Sequence, residues 1–259
     1  MAVRTADSIP AWYGKAFIPF ITAGDPSLEV TEQLALQMAA AGADLIELGI
    51  PFSDPIAEGP VIQAANNRAL AAGTTTDKIF AMVGRIRKSS RTPLAFMTYM
   101  NPIFTYGTEK FMQSCQKVGV DAVIVPDVPY EERAELAPYC AKYGVTLISM
   151  VAPTSNHRIR MIAGAAQGFI YCVSSMGVTG VRQEIGSDVE QMIELVKEVK
   201  DIPCAVGFGI STPEQAKEIA RFADGVIVGS AIVKIIAQHG ASCVPYVVKY
   251  VQGMINAVK

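Results

Sequence analysis

The stretch LIELGIPFSDPIAEGPVIQ, residues 45–63, decides the fold and carries the first candidate site. Residues 43–49, which overlap the start of this stretch, form a short apolar run next to glycines, and such a run predicts a buried strand. One acid, Glu47, interrupts this run, and burying an ionisable side chain is costly unless the group is neutralised, paired or used. Glu47 is therefore either a structural carboxylate bonded to nearby amides or to an arginine, or a group with a chemical role.

The loop that follows this strand is stiffened by proline and carries a second candidate acid. Pro51, Pro55 and Pro60 restrict the backbone, so Glu58 can be held near the end of the strand. Two carboxylates near one strand end suggest a general acid/base pair, Glu47 and Glu58.

Strand patterns and helix patterns alternate along the rest of the chain. Strands are predicted at 16–23, 43–49, 94–98, 122–125, 145–151, 168–173, 204–207 and 225–228. Helices are predicted at 27–41, 60–72, 77–88, 108–118, 131–142, 156–164, 187–199, 213–221 and 244–258. Eight strands alternating with helices predict parallel pairing in a closed (β/α)8 TIM barrel. We expect residues 1–259 to form one such domain, with helical additions at both ends.

A short sequence pattern that recurs at three predicted strands supports a repeated structural unit. The segments AGADLIELGIP, VGVDAVIVPDVP and RFADGVIVGSAI each place an aspartate just before an apolar strand, at Asp44, Asp121 and Asp224. Recurrence of one pattern at several strands indicates that the same supersecondary element is used repeatedly.

Composition restricts the classes of partner. The chain is 51% hydrophobic and has a net charge of -2, without a long basic run, which argues against nucleic acid and favours a small-molecule partner. No apolar run approaches the roughly 20 residues that span a bilayer, so no membrane association is expected. The five cysteines form no CxxC pair, which indicates reduced thiols and no zinc site. We therefore expect a cytoplasmic protein.

Two glycine turns, after the seventh and eighth predicted strands, are candidates for binding phosphate. They are GFGIS, residues 207–211, and GSA, residues 229–231, and the second opens a helix to about residue 238 with Ser230 as its cap. Amides at a helix N-terminus bind anions, and barrels often hold a substrate phosphate here. The alternative is that these are turn glycines alone. GFGIST lacks the third glycine of a dinucleotide fingerprint, so no nicotinamide or flavin is expected.

Residues 174–187, SSMGVTGVRQEIGS, form a long loop rich in glycine after the sixth strand, which predicts a mobile lid. A surface loop without a role is the alternative. His157 and His239 show no triad or ligand spacing, and no lysine lies at the end of a predicted strand. Acid/base work then falls to carboxylates, and neither a Schiff base nor a metal site is predicted.

The segment ELGIPFSDPIAEGPVIQ resembles the signature of the tryptophan synthase α subunit family. The similarity extends over residues 17–236 through FIPFITAGDP, FMTYMNPIF, VPDVPYEE, SSMGVTG, GFGIS and VGSAIVKII. This resemblance implies a (β/α)8 lyase of tryptophan biosynthesis that cleaves indole-3-glycerol phosphate to indole and glyceraldehyde 3-phosphate. It also implies an α2β2 complex, in which pyridoxal phosphate belongs to the β subunit and this chain carries no cofactor.

The resemblance further implies roles for single residues. Glu47 would serve the ring carbon and the substrate hydroxyl as acid/base, and Glu58 would accept from the indole N–H. The family usually has aspartate at the position of Glu58, which here adds one methylene. The indole pocket would be lined by Phe20, Met97, Ile124 and Tyr171, with Thr179 on the lid, and Met97 is equally compatible with a core role. The phosphate end would be formed by Gly180, Phe208, Gly209, Gly229 and Ser230.

Two other functions share these motifs. One is a free-standing indole-3-glycerol phosphate lyase, which would release indole without a partner, and the other is a non-catalytic phosphate-binding barrel. If a β subunit binds, we expect it to contact the stiff loop 50–59 and the segment around Asn101 and Pro102, because rigid apolar loops at a barrel mouth suit docking.

Overall fold

Eight parallel strands close into a barrel in the computed structural model, which describes residues 9, 12, 14–173, 185–207 and 209–259, without the side chains of 185–187. Each strand pairs with its neighbour in sequence, and β1 pairs with β8 to complete the ring. The strands are β1 Ala16–Thr22, β2 Ile46–Gly49, β3 Leu94–Met97, β4 Ala122–Ile124, β5 Thr146–Val151, β6 Ile170–Val173, β7 Cys204–Gly207 and β8 Gly225–Val228. The predicted (β/α)8 architecture is confirmed.

The helices surround this barrel. They are α1 Leu28–Ala40, α2 Pro60–Ala71, α3 Thr76–Ile86, α4 Met100–Tyr106, α5 Thr108–Val118, α6 Ala137–Tyr143, α7 Asn156–Ala165, α8 Ile185–Val199, α9 Pro213–Ile219, α10 Ser230–His239 and α11 Val244–Val258. None of the helices in the described ranges has both the length and the hydropathy that crossing a bilayer requires. That residues 1–259 form one domain stays a prediction.

Side-chain alternation along the strands divides the core in two. On β1, Phe17 and Ile21 pack outward against the helices, whereas Ile18 and Phe20 point into the barrel. On β2, Ile46 and Leu48 likewise belong to the outer cluster. Because side chains of a strand alternate between faces, the residue between Ile46 and Leu48 must face the barrel interior, and that residue is the acid of the β2 run.

The aspartates of the recurring pattern have the same structural role. Each side chain accepts a backbone N–H of the preceding strand at 2.8 or 2.9 Å, while its own N–H donates to the carbonyl of the same residue. The pairs are Asp44 with Phe17, Asp121 with Leu94, and Asp224 with Cys204. The aspartate therefore joins adjacent strands where they enter the barrel, at the end opposite to that expected for chemistry.

A cation accompanies each of these aspartates, with different burial. Lys259 pairs with Asp44 and Lys197 with Asp224, both partly exposed to solvent. Arg87 pairs with Asp121 at 2.6 Å, with side chains only 9% and 0% exposed. The Arg87–Asp121 pair is thus the one whose loss would leave an uncompensated buried charge.

Two helical segments differ from the prediction. The predicted helix 131–142 is divided into a 3-10 helix, Tyr130–Glu135, and α6, because Pro138 near the start of α6 has no N–H and its ring would clash with the preceding turn of a continuous helix. Helix α4 was not predicted; Gly107, at φ +93°, separates it from α5. This additional helix places Asn101 and Pro102 beside the barrel mouth.

We predict that Asp121→Ala lowers the free energy of unfolding by roughly 3 kcal/mol, because Arg87 and the Leu94 N–H lose a buried acceptor. Urea denaturation measures the loss. Asp44→Ala is the matched control. It should lower the free energy of unfolding by clearly less, because Lys259, the cation paired with Asp44, is partly exposed to solvent. Equal losses in the two variants would contradict the assignment of this difference to burial.

Candidate active site

A cavity of about 290 Å³ opens where the strands end at the barrel's carboxyl edge. Its described lining includes Glu47 from β2, Met97 from β3, Ile227 from β8 and Glu58 from the loop before α2. Both predicted carboxylates are thus brought to one cavity, although they come from different parts of the β2–α2 segment. The cavity is largely apolar, with polar groups at its two ends, as expected for a small-molecule site.

Glu47 is the most unusual residue of this cavity. It lies between Phe20 of β1 and Ala95 of β3 in the strand register, and it is only 1% exposed. Neither carboxyl oxygen has a hydrogen-bond partner among the described residues. Burial raises the pKa of Glu47 to about 8, and the nearby carboxylate of Glu58 adds to the rise. Glu47 therefore carries a proton at neutral pH, and the structural alternative of a carboxylate held by amides or by an arginine does not fit these contacts.

Glu58 is held differently. Its Oε2 accepts a 2.6 Å hydrogen bond from Nδ2 of Asn66 on α2, and the Tyr99 hydroxyl also bonds its carboxylate. Tyr99 in turn accepts from the backbone N–H of Ala57 at 3.2 Å. Burial raises the pKa of Glu58, whereas the hydrogen bonds from Asn66 and Tyr99 act in the opposite direction. The carboxylate is thereby oriented by neutral donors.

Most of the residues predicted to line the indole pocket lie along the cavity. Phe20, Met97 and Tyr171 line the cavity, while Ile124 is fully buried in the same interior cluster without lining it. Burial raises the pKa of Tyr171, and the carboxyl of Glu47 adds to this effect, so the phenol stays protonated. A role for these four residues in substrate binding stays a prediction.

Glycines at two strand ends make room for the Phe20 ring. A Cβ on Gly49 would lie 2.7 Å from its Cζ, and a Cβ on Gly229 would lie 3.1 Å from its Cδ1. Any side chain at Gly49 would therefore displace the ring from the cavity wall. Similarly, a Cβ on Gly207 would lie 2.5 Å from the hydroxyl oxygen of Tyr171. These glycines shape the wall as well as turning the chain.

Gly209, Gly229 and Ser230, which follow β7 and β8, form a further part of the cavity lining. Here one expectation is wrong: Gly229, not Ser230, is the N-cap of α10, and Ser230 is the first helical residue. No side chain of the described residues caps α10, so within this part of the chain its first amides have no capping acceptor from a side chain. Those amides can donate to an anion.

Three predicted site residues, Thr179, Gly180 and Phe208, lie outside the described residues, as does most of the predicted lid at 174–187. Conversely, sequence reasoning missed three residues at the site, namely Asn66, Tyr99 and Lys234. Lys234 had a usable signal, because it follows Ser230 by four positions and so shares its helix face. Asn66 and Tyr99 had none, since their contacts with Glu58 arise only from the fold.

Comparisons with known proteins agree on one family. The family model described as tryptophan synthase alpha chain matches residues 10–258. The chain is 53% identical over 231 residues to the tryptophan synthase alpha chain of Shouchella clausii (strain KSM-K16), covering 89% of this chain and 85% of the relative. It is 46% identical over 248 residues to that of Lacticaseibacillus casei, covering 95% and 93%.

Solved structures give the same result. One match is a chain from a structural study of mutual activation of the tryptophan synthase a2b2 complex from Pyrococcus furiosus. Its TM-score is 0.87 and its sequence identity 36%, over 95% of this chain and 100% of that chain. The tryptophan synthase subunit alpha of Legionella pneumophila str. Paris matches with a TM-score of 0.86 and 38% identity, over 94% and 92%.

We predict that Glu47→Gln stabilises the protein more at pH 8 than at pH 5. The unfolded chain ionises this carboxyl near pH 4.5, whereas the native state keeps the proton until about pH 8, so wild-type stability falls as the pH rises between these values. Gln has no such titration. One unit of pKa corresponds to about 1.4 kcal/mol, so the free energy of unfolding of the variant, relative to that of the wild type, should grow by a few kcal/mol from pH 5 to pH 8. Urea denaturation at both pH values tests this, and a constant difference would contradict it.

Proposed function

The chain belongs to the tryptophan synthase alpha chain family, and from that premise we propose how its cavity cleaves indole-3-glycerol phosphate to indole and glyceraldehyde 3-phosphate. The observation that carries the proposal is Glu47, a buried acid that holds a proton at neutral pH and faces a cavity with a second carboxylate. A general acid is most effective when its pKa lies near the working pH, and the pKa of Glu47, about 8, lies near neutral pH.

The reaction needs an acid first and a base second. Glu47 gives its proton to the ring carbon that bears the glycerol phosphate chain, so that the indole ring becomes an electron sink. The resulting carboxylate takes the proton of the hydroxyl next to the ring. The O–H electrons form the aldehyde, the carbon–carbon bond breaks, and its electrons restore the aromatic ring. Glu47 ends protonated, as it began.

Glu58 has a complementary task at the indole nitrogen. As a carboxylate it accepts from the ring N–H, whose positive charge grows when the ring carbon is protonated. Its orientation by Asn66 and Tyr99 supports this assignment, because a group that stabilises developing charge must be in place before the charge appears.

The phosphate fits the other end of the cavity. The amides that begin α10 can donate to its oxygens, and Lys234 is the cationic side chain among the described lining residues. Gly209, at φ +75°, lies beside them and lets the backbone approach a ligand closely. This arrangement supports a phosphorylated substrate with an apolar ring at the opposite end.

We propose that this chain uses no cofactor of its own, since the indole ring supplies the electron sink, and that pyridoxal phosphate belongs to the β subunit. We also propose a cytoplasmic location. The five cysteines support it, because all are buried free thiols of the kind that a reducing compartment maintains.

The partner of the family is the β subunit in an α2β2 complex, and similar chains occur in solved complexes of tryptophan synthase from Pyrococcus furiosus and M. tuberculosis. We propose that it docks on the face containing Ile56 and Phe104, which are 78% and 74% exposed. Asn101 and Pro102 lie in a neighbouring groove on α4, consistent with the expected docking segment. Large exposed apolar side chains at a barrel mouth favour a complex over a free-standing lyase.

We predict that Glu47→Gln lowers indole formation by about 100-fold or more, because the amide can neither give nor take the proton. An assay of indole release from indole-3-glycerol phosphate measures this. Glu135→Gln, at an exposed acid of the 3-10 helix, is the control and should leave the rate unchanged. Near-wild-type turnover in Glu47→Gln would remove its catalytic role and favour a non-catalytic phosphate-binding barrel.

We predict that Phe104→Glu weakens binding of the β subunit by about tenfold or more, because a charge replaces an apolar anchor at the interface. Isothermal titration calorimetry measures the affinity. Tyr246→Glu on α11 is the control, since this half-exposed residue lies on a helix packed against α1 and α9, and belongs neither to α4 nor to the loop 50–59. Unchanged affinity for Phe104→Glu would place the interface elsewhere.

A further inference from the structure

Asn66 is a buried polar residue whose side-chain amide bonds a carboxylate of the candidate site. It lies on α2, is 2% exposed, and donates from Nδ2 to Oε2 of Glu58 at 2.6 Å. Burying an amide is favourable only where it has a partner, and here the partner is one of the two carboxylates that face the cavity. The contact therefore connects the helix to the candidate chemistry.

Helix α2 is itself fixed in place. Two residues after Asn66, Arg68 makes two hydrogen bonds of 2.8 and 2.7 Å to the carboxylate of Asp25, which is 1% exposed. Asp25 lies in the segment between β1 and α1, so this paired interaction fastens α2 to the barrel. The amide of Asn66 is consequently presented from a rigid element, whereas Glu58 belongs to a loop.

The donors to Glu58 are both neutral. Asn66 approaches from α2 and Tyr99 from the end of β3, while the titratable group that faces Glu58 from β2 is the acid Glu47. A lysine or arginine at either place would neutralise the carboxylate and compete with a ligand N–H for it. A neutral amide orients the group and leaves its charge available.

We propose that Asn66 is a positioning residue, which holds the Glu58 carboxylate in the orientation that receives the indole N–H. This proposal rests on the proposed function, because it assigns Glu58 to that nitrogen. Asn66 does not touch the substrate; it acts through Glu58. Loss of its hydrogen bond frees the carboxylate to rotate, and displacements of about 1 Å can cost up to 100-fold in rate.

The first experiment is steady-state kinetics of Asn66→Leu, with Asn67→Leu as a matched control of the same residue type at the next, exposed position of α2. We expect kcat for indole release to fall about tenfold or more in Asn66→Leu with little change in KM, and to stay unchanged in Asn67→Leu. Wild-type kcat in Asn66→Leu would overturn the proposal. Absence of cleavage by the wild-type enzyme would instead refute the proposed function.

A pH profile separates positioning from a general structural defect. The hydrogen bond from Asn66 lowers the pKa of Glu58, and Glu58 must be ionised to accept from the N–H. The acid limb of the kcat profile should therefore move to higher pH in Asn66→Leu. An unmoved limb would contradict the proposal.

The decisive readout is a double-mutant cycle with Glu58→Gln. If Asn66 acts through Glu58, Asn66→Leu should cost almost nothing further in the Glu58→Gln background. Additive losses would overturn the proposal. Should Asn66→Leu fail to fold, Asn66→Ala is the second variant, because it also removes the donor and adds no charge, and it should show the same loss of kcat and the same dependence on Glu58.

Discussion

The desolvation of one carboxyl group, that of Glu47, is the constraint on which the site depends. The strand β2 must place alternate side chains outward to build the core with the helices, and this forces Glu47 inward. Inside the barrel it meets apolar neighbours and no hydrogen-bond donor among the described residues. The energetic cost of that position falls on the ionised form, so the fold itself keeps the acid protonated and ready to donate.

Stability and chemistry are separated along the barrel axis. At the entry end, Asp44, Asp121 and Asp224 satisfy the backbone of adjacent strands and pair with cations. At the exit end, polar groups remain without partners or are held by neutral donors. The entry end supplies stability, while the exit end holds a buried carboxyl without a hydrogen-bond partner among the described residues, which is the division expected for barrel enzymes.

The sequence predicted those features that depend on local pattern. Short apolar runs separated by segments with helical spacing predicted the barrel, and the one acid that interrupts the second run pointed to Glu47. Contacts made by the fold could not be predicted from local pattern: Asn66 reaches Glu58 from α2, which Arg68 joins to Asp25, and Tyr99 reaches it from the segment between β3 and α4. The N-cap of α10 also differed, because the turn after β8 decides whether Gly229 or Ser230 is the last non-helical residue.

Under the proposed function, the charges of the cavity favour one orientation of the substrate. Since Glu47 and Glu58 share the cavity, ionisation of one disfavours ionisation of the other. Burial raises the pKa of both carboxyls, but hydrogen bonds from Asn66 and Tyr99 oppose the rise at Glu58, whereas Glu47 has no such partner among the described residues. A phosphate would be repelled from this end and attracted by the amides of α10 and by Lys234 at the other. The neutral indole ring, with its N–H donor, is left to meet the carboxylates. In the proposed function, the same burial that keeps Glu47 protonated therefore also limits the negative charge at the end where the ring would bind.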